Sequence, residues 1–238
     1  MNQEFITELS SQLPDLEIKK DEPMSGHTTF RVGGPADIFV SPNKEELDVV
    51  LKIAKAHNIP ITIIGNGSNL LVTDKGIRGL VVEIGKAMES ISITDTTITV
   101  GAGTLMSKTA NAAADASLGG MEFAAGIPGS LGGAVVMNAG AYGGEMKDVV
   151  TSVTYLDKNG EVLTLDLSQL DFSYRYSVFK ENDGIVLFAT FELERGKKDE
   201  IKALMDDIMN RRKSKQPKCG CSAPIKAFWC NHCRKKRF

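Results

Sequence analysis

An α+β fold is predicted by three features of the chain. Short helical stripes alternate with short strands through its first hundred residues. Its second half carries strand pairs joined by tight turns. Its 42% hydrophobic and 24% charged residues are the balance of an ordinary globular protein. At 238 residues there is length for one large or two small domains with a sizeable core.

Each element has its own signal. Phe5, Ile6, Leu9 and Leu13 recur at helical spacing before Pro14, so the chain opens on an amphipathic helix. A polar stretch leads to residues 27–40, HTTFRVGGPADIFV, which end as a strand after the Gly33-Gly34-Pro35 turn. Ser41-Pro42 predicts a helix start, with Leu47, Val50, Leu51 and Ala54 as its buried stripe and Asn58 and Pro60 as its stop. Ile61–Ile64 reads as a buried strand. The polar loop GNGSN (65–69), the apolar Leu70–Val72, a turn at Lys75-Gly76 and a strand over Leu80–Ile84 follow. Residues 90–94 and 97–100 alternate as strands around Asp95-Thr96. Thr104 begins an alanine-rich helix that Gly119-Gly120 caps. Strands over 150–157 and 161–167 flank Asn159-Gly160, a strong hairpin signal. The aromatic and polar segment DFSYRYSVFK (171–180) precedes a last strand over 185–193. A helix over 199–213 buries Ile201, Leu204, Met205 and Ile208, with acids at its start and Arg211-Arg212-Lys213 at its end.

Glycine distribution points to a ligand. Residues 119–144, GGMEFAAGIPGSLGGAVVMNAGAYGG, hold nine of the 23 glycines. Phe123, Ile127, Leu131, Val135, Val136 and Met137 interrupt them with core-type side chains, so this is no flexible linker. A glycine run threaded with apolar anchors suits a fixed loop around a flat or phosphorylated ligand better than a series of turns. Pro128-Gly129-Ser130 predicts a helix start whose amides face an anion. GNGSNLL (65–71) follows a strand, and its backbone amides can form a phosphate nest. It is neither a Rossmann fingerprint, since Leu70 stands at the third glycine, nor a P-loop, since the Lys-Ser/Thr pair is absent. By itself the loop is equally a turn. Paired with the second glycine cluster, it favours a dinucleotide held by non-Rossmann loops.

The ends of the chain carry further expectations. Its start has no basic region followed by an apolar one, and no apolar run approaches the length of a bilayer span, so a cytoplasmic location without membrane contact is expected. Ten Lys or Arg and no acids fall in 211–238, which leaves 18 basic against 30 acidic residues before them. Cys219, Cys221, Cys230, Cys233 and Trp229 fall there too. Four thiolates could hold Zn²⁺, but the one-residue first spacer and the short gap between the pairs argue for out-of-frame translation, so no metal is expected. The tail's basicity without interleaved aromatics gives no nucleic-acid surface.

HTTFRVGGPAD, GNGSNLLVTDKGIRGLVVEI, GGMEFAAGIPGSLGGAVVMNAGAYGGE and YRYSVFK occur in this order and spacing. Together they resemble the UDP-N-acetylenolpyruvoylglucosamine reductase family of bacterial peptidoglycan synthesis, over about Met1 to Pro217. The resemblance implies the vanillyl-alcohol-oxidase-type (PCMH-type) FAD-binding fold, two subdomains clasping a flavin with a C-terminal domain over the substrate. It implies a lead-in over 1–29, an FAD-binding domain over 30–195 (subdomains about 30–85 and 86–195), and the start of a substrate domain over 196–217, largely missing here. Residues 218–238 form an aberrant tail.

By the same resemblance NADPH reduces FAD, which then reduces UDP-N-acetylglucosamine enolpyruvate, and the family is monomeric. Gly65, Asn66, Gly67, Ser68 and Asn69 match the loop at the FAD pyrophosphate. Gly126, Ile127, Pro128, Gly129, Gly132, Gly133, Asn138 and Gly140 match the segment beside the flavin. Arg175 matches the active-site arginine, with Tyr174 beside it at the substrate. On chemistry alone, a guanidinium at 175 suits a substrate carboxylate, or equally covers a strand as a stacked arginine. The family's proton-donor serine and C-terminal glutamate have no matched counterpart, since the neighbours of Ser222 differ and no acid follows Asp207. Low activity, association through uncovered apolar surface, or a role as an FAD-binding fragment is therefore expected, with a same-fold oxidoreductase of another substrate as the alternative.

Overall fold

A computed structural model describes residues 3–215, and the cysteine tail, Ser222 and the expectations attached to them lie outside it. The first sheet holds β1 (Lys19–Pro23), β2 (Pro35–Val40), β3 (Ile61–Ile64) and β4 (Ile77–Glu83), in the order β1-β2-β4-β3. β1 runs antiparallel to β2, while β2 and β3 both run parallel to β4. The parallel β2–β3 relation needs a crossover, and the α2 helix (Lys44–Ala56) supplies it. Leu47, Val50, Ile53 and Ala54 of α2 are buried. The α1 helix (Gln3–Gln12) lies on α2, with Phe5 and Leu9 fully buried, Phe5 edge-on to His57, and His57 Nε2 2.7 Å from Glu8. β4 is apolar on successive residues because both its faces are covered. Leu80 and Val82 join the main core, and Val81 joins a smaller cluster with Met24, Phe39 and Val72.

The second sheet is antiparallel throughout. β5 (Ile91–Thr94), β6 (Thr97–Gly101), β7 (Val150–Leu156), β8 (Val162–Asp166) and β9 (Ile185–Glu192) lie in the order β8-β7-β9-β6-β5. The α3 helix (Met106–Asp115) and the short α4 helix (Leu131–Val136) follow β6 in sequence, and α4 packs on β9. The α5 helix (Lys198–Lys215) closes the described chain against α3 and the 122–126 turn.

Several expectations are corrected by tertiary structure. α2 begins after Asn43, not at Ser41-Pro42: the Asn43 side chain accepts from the Glu46 N–H, and the Glu46 carboxylate accepts from the Asn43 N–H. That reciprocal pair satisfies two donors at the helix start, which a proline cannot do. Leu51 is only half-buried because it faces a cavity, and Ile53 takes its place in the core. β3 is an edge strand, so Ile61 and Ile63 are exposed rather than buried. α3 stops at Asp115, with Ser117 in the left-handed region at φ 61°, ahead of the glycine pair. Leu204 points outward, since Ile201, Met205 and Ile208 alone fall on the packed side of α5. β1, with the sequence KKDEP, has no strand propensity of its own and is formed by pairing with β2.

Asn43→Ala should destabilise the chain by about 1 kcal/mol, and Asn43→Asp by much less. Urea midpoints measured on the two variants check this.

Candidate functional site

The two glycine clusters, about sixty residues apart in sequence, meet at one cavity of about 1070 Å³. Asn66 Nδ2 donates to the Pro128 carbonyl at 2.5 Å, and the Asn66 N–H donates to Ser130 Oγ at 3.4 Å. At Gly65 a Cβ would stand 2.2 Å from Ser130 Oγ, so a side chain there would have to turn that hydroxyl away from the Asn66 N–H. Gly67 has φ 56°, and a Cβ there would stand 1.9 Å from the His27 carbonyl oxygen. Bare backbone is thus required at Gly67, against the segment behind the loop.

His27 is the residue behind the loop, and its importance is not visible in the sequence pattern. Its imidazole lies 2.8 Å from Glu22 and 3.4 Å from Glu83, and stacks on Phe39 with ring centroids 4.1 Å apart. The Thr29 N–H adds a bond to the Gly67 carbonyl at 3.2 Å. The 22–29 segment therefore braces the 65–69 loop from the side away from the cavity.

On the opposite wall, the 127–133 segment is stitched to the end of β6. The Met106 N–H donates to Gly129, Leu131 to Thr104 and Gly132 to Ala102. The first two amides of α4 are thus spent on the 102–104 carbonyls and are not donors to an anion. Exposed Ile61 and Ile63 of β3 and half-buried Val136 add apolar wall suited to a flat ring. Where α2 meets the 157–160 turn, Asp48 Oδ1 is buried with no protein partner among the described residues.

Arg175 reaches this cavity through the turn of residues 173–176. Ser173 and Tyr176 exchange both backbone hydrogen bonds at 3.2 Å, Arg175 has φ 54°, and its Nη2 lies 3.3 Å from Asn69 Oδ1. The guanidinium thus stands beside the loop matched to the pyrophosphate.

The cavity wall includes Gly65, Asn66, Gly67, Ser68 and Asn69, together with Ile127, Pro128, Gly129, Gly132, Gly133, Gly140 and Arg175. Three expected residues are not in that wall. Gly126 backs onto α5, where a Cβ would meet Arg212 Cδ at 2.9 Å. Asn138 is buried behind the wall, and Tyr174 is 91% exposed. Arg212 lines the cavity without having been expected there, and desolvation pushes its guanidinium below the usual range. Among the described residues there is no metal-binding cluster, and no helix is long and apolar enough to cross a membrane. A cavity of this size, walled by Cβ-free backbone and isoleucines, fits a flavin dinucleotide.

Comparison with known proteins agrees. The family of FAD-binding domains matches residues 35–166. UDP-N-acetylenolpyruvoylglucosamine reductase of Agathobacter rectalis is 50% identical over 229 residues, covering 91% of this chain and 73% of that protein. The crystal structure of the corresponding reductase from Thermus caldophilus superposes with a TM-score of 0.72 at 35% identity, covering 85% of this chain and 71% of that one. Cholesterol oxidase from Brevibacterium sterolicum, 14% identical with a TM-score of 0.58 over 76% of this chain and 38% of that one, shares the fold alone. The architecture is the FAD-binding type of the PCMH flavoenzymes.

Gly67→Asp should weaken FAD binding by at least about tenfold, since it strains the left-handed backbone and drives a Cβ into the His27 carbonyl that braces the loop from behind. Quenching of flavin fluorescence on titration measures it, and wild-type affinity in the variant would refute the placement of this loop.

Proposed function

The chain belongs to the UDP-N-acetylenolpyruvoylglucosamine reductase family, and from that membership we propose that it reduces UDP-N-acetylglucosamine enolpyruvate to UDP-N-acetylmuramate with NADPH and FAD, a step of peptidoglycan synthesis. One observation carries the reading: the Arg175 guanidinium meets Asn69 of the glycine-rich 65–69 loop at the rim of a cavity large enough for a flavin.

The 65–69 loop and the 127–133 segment would hold the cofactor, their bare backbone allowing close approach to phosphate and ring. FAD, when bound, supplies reversible hydride transfer between NADPH and the enolpyruvyl double bond. Ile61, Ile63 and Val136 provide apolar wall that would exclude water from beside a bound flavin. Arg175 acts on the other reactant. Reduction of an enolpyruvyl ether spreads negative charge onto the adjoining carboxylate, and a planar guanidinium grips a carboxylate through two parallel N–H bonds. Held in place beforehand, it lowers the barrier because it need not reorganise as that charge develops.

The experiment that tests the reading follows NADPH oxidation with and without UDP-N-acetylglucosamine enolpyruvate in the FAD-loaded protein. Substrate-dependent oxidation, expected to be slow because the family's serine and glutamate have no matched counterpart, supports it, whereas substrate-independent oxidation alone refutes it for this chain and leaves an FAD-binding fragment. Arg175→Ala should lower the substrate-dependent rate by about a hundred- to a thousandfold. Arg175→Lys should recover only part of that loss, because an ammonium cannot reproduce the planar fork.

A further inference from the structure

Asn138 lies in the glycine-rich segment, yet it is 3% exposed and stands behind the cavity wall. Its Nδ2 donates to Glu145 Oε2 at 2.7 Å and to the Ser173 carbonyl at 3.0 Å, and its Oδ1 accepts the Lys147 N–H at 3.0 Å. Both amide hydrogens are therefore used inside the chain. The Ser173 carbonyl also accepts from the Tyr176 N–H, so one oxygen closes the arginine turn and ties it to Asn138. Past the turn, fully buried Ser177 donates through Oγ to the Val136 carbonyl at 2.9 Å. The turn that presents Arg175 is pinned on both sides, at Ser173 and Ser177, to two positions of one short segment.

We infer that Asn138 and Ser177 are positioning residues for Arg175, and that Asn138 serves the site through this turn and makes no contact with the cofactor. The inference rests on the role given to Arg175 above. Its chemistry explains the residue type. Asparagine offers two donors and an acceptor on a short side chain, and it tolerates the left-handed backbone found here at φ 40°. Aspartate would keep the Lys147 bond, lose both donated bonds and set a second carboxylate against Glu145. Lys147 Nζ already bonds the other Glu145 oxygen at 2.5 Å, which raises the lysine's pKa and fixes the carboxylate that Asn138 addresses. An exposed arginine on an unpinned turn would sample many placements, and mispositioning by about 1 Å can cost around a hundredfold in rate.

The test uses Asn138→Ala and Ser177→Ala in the full FAD-loaded chain. Trypsin cleavage after Arg175, followed by mass spectrometry, reports the order of the turn. FAD titration reports cofactor contact, and steady-state kinetics, alone and combined with Arg175→Ala, report coupling to the guanidinium. We expect cleavage to rise at least about fivefold, FAD affinity to change less than about threefold, and kcat to fall by about tenfold or more with the KM for NADPH unchanged. Asn138→Ala should cost nothing further once Arg175 is alanine. Loss of FAD affinity with cleavage unchanged would overturn the inference, as would kinetic losses that multiply in the double variant. Should Asn138→Ala fail to fold, Ser177→Ala decides alone. If the unaltered chain shows no substrate-dependent turnover, the proposed function falls, while cleavage and FAD affinity still decide whether Asn138 orders the turn.

Discussion

The close packing of Gly65 and Gly67 against neighbouring oxygens is the constraint on which the rest of the site depends. Gly65 lies against Ser130 and Gly67 against the His27 carbonyl, and in both places a Cβ would overlap a neighbouring oxygen. The loop is thus sandwiched between a brace from the first sheet and a wall from the second. Neither sheet can form the cavity alone. β3 leads into the loop at one side, and the β6–α3–α4 connection carries the opposing wall.

That dependence explains how order is distributed around the cavity. The brace is polar and heavily bonded, with His27 between Glu22 and Glu83 on the face of Phe39. The opposing wall is apolar and anchored by backbone bonds to residues 102–106. Glycines lose more conformational entropy on folding than other residues, so a glycine-rich wall must be held by something other than its own side chains. Here the end of β6 and the buried side chains of Leu131, Ala134 and Val135 hold it. The apolar anchors between the glycines are therefore as necessary to the site as the glycines themselves.

Much of this was legible in the sequence because it is local. The helical stripes, the hairpins over 90–100 and 150–167, and the two glycine clusters are periodicities or dense compositions that survive without knowledge of neighbours. What was not legible is set by partners distant in sequence. KKDEP becomes a strand only by pairing with β2. Ile61 and Ile63 carry a buried strand's composition, yet they are exposed, because β3 lies at a sheet edge and their face lines a cavity. Ser41-Pro42 resembles a helix start, but the reciprocal Asn43–Glu46 bonds win because they satisfy donors that proline leaves unanswered. The use of the first α4 amides is set in the same way: a helix start frees its amides only if no other carbonyl lies opposite, and Ala102 and Thr104 take those of Gly132 and Leu131.

Asn138 shows where motif and mechanism part. Residues that recur together in one glycine-rich stretch invite a single role, that of touching the flavin. The geometry divides them. Gly129, Gly132, Gly133 and Gly140 face the cavity, whereas Asn138 turns its amide away from it, toward Ser173 and Glu145. The stretch thus does two jobs, offering close backbone on one side and anchoring the arginine turn on the other. Arg175 links them, since the turn held by Asn138 and Ser177 also brings its guanidinium to Asn69 on the first loop. Cofactor loop, wall and arginine therefore form a closed circuit of contacts. A change at any one of them propagates to the guanidinium, so sensitivity of the chemistry to a substitution here does not by itself identify the residue that touches the reacting atoms.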